Sequence, residues 1–96
     1  MIRHTVIFTT KHPKGSAAEA NFIEDALLLS KVPGVKKFER LRQIHAKNPH
    51  RHGFSMEFDD QAAYDGYSNH PDHVAFVNDK WIPNVADFLE IDYEPL

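Results

Sequence analysis

Seven histidines stand in a chain of 96 residues that contains no cysteine. Imidazole titrates near neutrality and binds metals, so the arrangement of these residues is the first place to look for chemistry. Without a thiol there is no disulfide framework, no thiolate metal site and no cysteine nucleophile, and acid–base work falls to His, Tyr, Asp, Glu, Ser or Lys. One grouping is His70-Pro71-Asp72-His73, with Tyr67 one helical turn ahead of it and Phe76 just after. Pro71 suits the first position of a helix, which puts His73 in a first turn where the helix dipole and free amides disfavour an imidazolium. A neutral imidazole there can act as a general base. On the plainer reading His70 caps the helix and His73 only packs.

His4 is the second candidate, a polar residue among Ile2, Val6 and Phe8 on the face expected to meet the helices. A buried imidazole needs a hydrogen-bond partner. Either His4 is a satisfied core histidine, or it converges with His73 and the Tyr67 hydroxyl on a pocket between sheet and helices. On the second reading His4, Tyr67 and His73 are the catalytic candidates, and Val6, Phe8, His70, Phe76 and Trp81 are the ligand-binding ones. His45, His50 and His52 surround a hairpin, but no acidic or Cys partner lies at a metal-site spacing, so no metal is expected. Asp59-Asp60 reads as a helix cap, and Glu90 with Asp92 as a solvated strand face. There is no Gly-rich phosphate loop, no G-x-S-x-G and no H-E-x-x-H, and no cofactor is expected.

The elements that must position these groups follow from periodicity. Residues 2–10 alternate as a strand, and Ser16 with Glu19 has capping-box spacing ahead of a helix from about 17 to 31, with Ala20, Ile23, Ala26 or Leu27, and Leu29 or Ser30 facing the sheet. Pro33-Gly34 ends it. Val35 to Ile44 reads as a second strand and His52 to Asp59 as a third, with Phe54, Met56 and Phe58 on its apolar face. Asp59-Asp60 starts a helix that runs to about Asn69, Pro71 opens another to about residue 80, and Ala86 to Tyr93 is a fourth strand. The order β-α-β-β-α-β is the α+β, ferredoxin-like pattern: a four-stranded antiparallel sheet with helices on one face.

One helical layer leaves a second sheet face bare, and Ile7, Leu41, Leu89, Ile91 and Tyr93 put apolar side chains there. A homodimer is expected to cover it. Ninety-six residues make one domain over 1–96, near the size at which folding buries roughly 60–65% of the unfolded surface. Eleven Lys and Arg against fourteen Asp and Glu give a formal charge of −3, with the cations scattered, which argues against a nucleic-acid partner. No stretch approaches the roughly 18–20 apolar residues of a membrane span, and no membrane partner is expected; a soluble cytoplasmic location is the default.

Four segments together resemble the stress-responsive A/B barrel (Dabb) domain family, within the dimeric α/β barrel superfamily. They are Ile2-Arg3-His4-Thr5-Val6-Ile7-Phe8, Val32-Pro33-Gly34-Val35, Tyr67-x-x-His70-Pro71-x-His73-Val74-x-Phe76 and Ile91-Asp92-Tyr93-Glu94. The resemblance implies a ferredoxin-like protomer whose homodimer packs two sheets into an α/β barrel, with a pocket in each protomer. In the plant polyketide cyclase of that family, the residues matching His4, Tyr67 and His73 are implicated in an intramolecular aldol cyclisation. On that analogy His73 is the base beside a carbonyl, Tyr67 orients it or the substrate, and His4 donates to the enolate oxygen of a small hydrophobic or aromatic carbonyl ligand. The reaction class implied is cofactor-free proton transfer in a cyclase, isomerase or lyase step. The alternatives are a non-catalytic stress-response or ligand-binding protein, and a heme- or quinone-handling monooxygenase that would use Trp81 or a histidine.

Overall fold

A computed structural model describes all 96 residues. The first strand, β1, is Ile2–Thr10, and its alternation sends His4, Val6, Phe8 and Thr10 into the interior. Ser16 then caps helix α1, Ala17–Asp25, by accepting from the amide of Glu19 at 3.3 Å, and the chain tightens into a 3₁₀ segment, Ala26–Lys31. The helix expected over 17–31 is therefore split. Its buried stripe is Glu19, Phe22, Ala26 and Leu29, whereas Ala20 and Leu27 face solvent. The large Phe22 ring wins the inward position from Ala20 because it buries more apolar surface. Gly34, with φ +91°, makes the turn after Pro33, a conformation open to glycine.

Strand β2 is Lys36–Arg42, shorter than the expected 35–44, and its register against β3 shifts between Lys36 and Glu39, where Lys37 takes a positive φ of 51°. Strand β3 is His52–Phe58. Asp60 caps α2, Gln61–Asn69, by accepting from the amide of Ala63 at 2.9 Å. Helix α3, Pro71–Phe76, runs past the expected end at residue 80, through a wide π turn, Val77–Trp81, and a last turn, Ile82–Asn84. Pro83 has no amide for the carbonyl of Asp79, and the preceding amide, of Ile82, reaches back five residues to Val77. Strand β4, Val85–Tyr93, closes an antiparallel sheet of order β2-β3-β1-β4. This is the α+β, ferredoxin-like arrangement read from the pattern.

The helices cover the centre of one sheet face. Phe8, Phe22, Phe54, Phe58 and Met56 are wholly buried there, with the Phe8 ring edge-on to Phe22 at 5.8 Å and 4.7 Å from Phe54. The opposite face carries Ile7, Leu41, Leu89, Ile91 and Tyr93, and Leu41, Leu89 and Tyr93 are each about half exposed. No helix is long and apolar enough to cross a membrane.

Glu19 pins α1 to the sheet. Its buried carboxylate accepts from the Thr10 hydroxyl at 2.7 Å, from the Arg51 guanidinium at 2.8 Å and from the Gly15 amide at 3.2 Å. Burial alone would raise its pKa, but these donors and the nearby His52 more than offset burial and hold it at about 2. A pKa lowered in the folded state contributes stability that is whole above pH 4.5 and is lost as pH falls towards 2. The contribution is about 3 kcal/mol. Urea unfolding across that window should show the loss in the wild type, and Glu19→Gln should be less stable at neutral pH and show a flatter dependence below pH 4.5. An unchanged pH profile in Glu19→Gln would contradict this role.

Candidate functional site

Between the helix-facing side of β1 and β4 and the stretch that runs from α2 through the π turn lies a cavity of about 440 Å³. Its walls are mostly apolar, from Leu29, Phe54, Met56, Val77, Ile82 and Phe88. Of the positions singled out in the sequence, His4, Val6, Tyr67, His73, Phe76 and Trp81 line it. The π turn has a direct part in this, because the wide turn carries Val77 and Trp81, and Ile82 follows. Two other expected positions lie elsewhere. Phe8 is 0% exposed in the core, stacked on His52 and edge-on to Trp81, and does not line the cavity. His70 caps α3 by accepting from the Asp72 amide at 3.1 Å, the plainer role read for it.

The register of β1 against β4 sets His4 opposite Asp92. A carboxylate can only accept, so Nδ1–H of His4 donates to Asp92 Oδ1, at 2.6 Å. Tyr64 completes the group: its hydroxyl donates to Asp92 Oδ2 at 2.8 Å, and its oxygen lies 2.8 Å from the same imidazole nitrogen. Burial and the Asp92 carboxylate raise the Tyr64 pKa, keeping this hydroxyl protonated and donating. With Nδ1 occupied, neutral His4 carries its lone pair on Nε2, which has no protein partner.

His73 has the same tautomer for a different reason. Its Nδ1–H donates to the backbone carbonyl of Ser68 at 3.0 Å, leaving Nε2 unprotonated and unpartnered. Burial lowers its pKa, and the neighbouring His4 pushes the same way. Its ring lies 4.3 Å from that of Tyr67. The Tyr67 ring is buried and its hydroxyl makes no hydrogen bond to protein; burial, with Glu90 adding, raises its pKa, so it stays a neutral donor. His4, Tyr67 and His73 are therefore brought together around one cavity, each with an unpaired polar atom.

Three residues escaped the sequence reading. Asp92 and Glu90 read as a solvated strand face and both are exposed, but the β1–β4 register turns them to the side of His4 and Val6, and Glu90 lines the cavity. Tyr64 sits one turn before Tyr67 on the same side of α2, a spacing that was visible. The hairpin histidines diverge: Nδ1 of His50 meets the Thr9 hydroxyl at 3.0 Å, His45 accepts from the Lys47 amide at 3.2 Å, and His52 lies towards Glu19.

Sheet order, helical layer and pocket define a ferredoxin-like α+β protomer with one apolar, His-lined cavity. The model of the stress responsive A/B barrel domain, Dabb, matches residues 2–95, and the chain belongs to that family. A Dabb family protein with a ferredoxin-like fold from Mesorhizobium loti is 59% identical and superposes with a TM-score of 0.97, over 99% of this chain and 96% of that one. A hydroxynitrile lyase from Passiflora edulis shares the fold at 15% identity, with a TM-score of 0.82 over 96% of this chain and 90% of that one. A dimeric protein from Bacteroides fragilis shares it at 21% identity, with a TM-score of 0.72 over 97% of this chain and 94% of that one. No curated protein matches the chain in sequence.

The site makes a spectroscopic prediction. In the long-range ¹H–¹⁵N spectrum, neutral His4 and His73 should both show the Nδ1–H tautomer, and His73 should titrate with a midpoint below 6.5. A His73 midpoint at or above 6.5, or an Nε2–H tautomer for either ring, would contradict the hydrogen bonds described.

Proposed function

We propose that the protein binds a small hydrophobic carbonyl compound in this pocket and catalyses cofactor-free proton transfer next to the carbonyl, in an isomerase, lyase or aldol-cyclase type of step. The observation that carries this reading is the pairing of His4 Nδ1 with Asp92 at 2.6 Å, an orienting carboxylate behind an imidazole whose other nitrogen is free. In this reading His4 is the base. Its Nε2 takes the proton from the carbon beside the carbonyl, and Asp92 stabilises the imidazolium that forms. The Tyr67 O–H, without a protein partner, donates to the oxygen that becomes the enolate. His73, kept neutral by burial and packed on the Tyr67 ring, orients that residue. The family resemblance assigns the base role to His73; the carboxylate behind His4 favours His4 instead.

The working unit is proposed to be a homodimer of the 1–96 domain. The half-exposed Leu41, Leu89 and Tyr93 on the bare sheet face support this, as does the dimeric Bacteroides fragilis protein of the same fold.

The test uses 2-tetralone, a neutral ketone with acidic carbon-bound protons, in deuterated buffer, with exchange followed by proton NMR. Wild type should accelerate exchange, and His4→Ala should lose roughly 100- to 10,000-fold of that acceleration, the range of general base catalysis. Asp92→Asn should fall between the two. Tetralone that binds but does not exchange faster than in buffer would favour a non-catalytic binding protein, and acceleration that survives His4→Ala would remove His4 as the base.

A further inference from the structure

The polar atoms of the cavity are unevenly distributed between donors and acceptors. His4 and His73 both offer Nε2 as an acceptor, because the Nδ1–H of each is spent on Asp92 and on the Ser68 carbonyl. Glu90 adds a carboxylate that makes no hydrogen bond and no ion pair with any group of the protein, and the register places it across from Val6 on the cavity side of the sheet. Among these groups the one protein donor is the Tyr67 hydroxyl. No Lys or Arg lines the cavity. Glu90 is exposed, so its carboxylate stands at the open side of the cavity, and an anionic ligand entering there would meet a like charge with no cation among the lining residues to offset it. A cationic ligand would find the Glu90 carboxylate on a cavity wall shared with Trp81 and Phe88, whose rings meet edge to face at 5.5 Å, and aromatic faces attract ammonium groups.

We infer that Glu90 determines ligand class, selecting a compact aromatic or alicyclic molecule that carries a protonated amine and rejecting carboxylates of the same shape. The inference rests on the ligand-pocket reading above and not on the proposed proton transfer. A neutral hydroxyl, which also donates, ranks between the two. The role of Glu90 is specificity, since the carboxylate contacts the ligand's amine and takes no part in moving the proton.

Three probes on one ring system separate these cases: 2-(2-naphthyl)ethylamine, 2-(2-naphthyl)ethanol and 3-(2-naphthyl)propionate, titrated calorimetrically at pH 7.5 into wild type and Glu90→Gln. Wild type should bind the amine about tenfold tighter than the carboxylate, with the alcohol between them, since one exposed charge attracts the first and repels the second. Glu90→Gln keeps the side-chain volume, and it should weaken the amine about three- to fivefold, strengthen the carboxylate and leave the alcohol within a factor of about two. Circular dichroism of the variant checks that it is folded. A carboxylate that binds wild type as tightly as the amine overturns the inference while leaving the pocket in place, and so does an amine preference that persists in Glu90→Gln. Failure of all three probes, the neutral alcohol included, would overturn the pocket reading and this inference with it.

Discussion

A 2.6 Å hydrogen bond between Nδ1 of His4 and a carboxylate oxygen of Asp92 joins the first strand of the chain to the last, 88 residues apart in sequence. It exists because β1 and β4 lie side by side in the middle and at the edge of the sheet, with His4 directly opposite Asp92. Much of the site depends on that pairing. It sets the tautomer of His4, it gives Tyr64 a carboxylate to donate to, and it turns Glu90, two residues away, towards the same cavity. A slip of one residue in the β1–β4 register would send Asp92 and Glu90 to the opposite face and leave His4 buried without its carboxylate.

The cavity itself arises from incomplete cover. The helices pack their aromatic core over β3 and β1, where Phe8, Phe54 and Phe58 are fully buried, while β4 extends beyond them. The chain from α3 towards β4 crosses this overhang as a π turn, which projects Val77 and Trp81 towards the sheet without filling the gap. On the other face of the sheet nothing in the protomer covers Leu41, Leu89 and Tyr93. The same one-layered architecture thus leaves a concave apolar site on one side and a flat apolar surface on the other.

The architecture was legible in the amino-acid sequence because each element announces itself locally. Alternation in residues 2–10, the Ser16 cap, Pro33-Gly34 and His70-Pro71 mark the elements and breaks that the structure shows. Within the elements, detail that depends on competition for the core was not legible: Phe22 and not Ala20 faces inward, and the helix over 17–31 breaks at Asp25. The half of the site on β1 and α2 was also readable, since His4 and Tyr67 stand out as polar groups on apolar faces. The part played by Asp92 and Glu90 was not, because a Glu-x-Asp alternation on an edge strand reads as solvated surface, which both are, and only the register places His4 opposite Asp92. Phe8 and His70 were expected at the ligand and are instead core and helix cap, because an inward-facing side chain near a pocket need not reach it.

The account claims that the polar groups of the cavity are kept for a ligand rather than for the fold, and the Tyr67 hydroxyl is the cleanest probe of that claim. Its ring is 2% exposed and its oxygen has no hydrogen bond to protein, so the fold gains nothing from it. Urea denaturation of Tyr67→Phe beside wild type, with the oligomeric state held equal, is the most direct measurement. The account predicts that Tyr67→Phe is as stable as wild type or slightly more stable, by up to about 0.5 kcal/mol, as when a hydroxyl without a protein partner is removed from the wall of a cavity. A loss of about 1 kcal/mol or more would mean that the hydroxyl holds the structure together, and would contradict it.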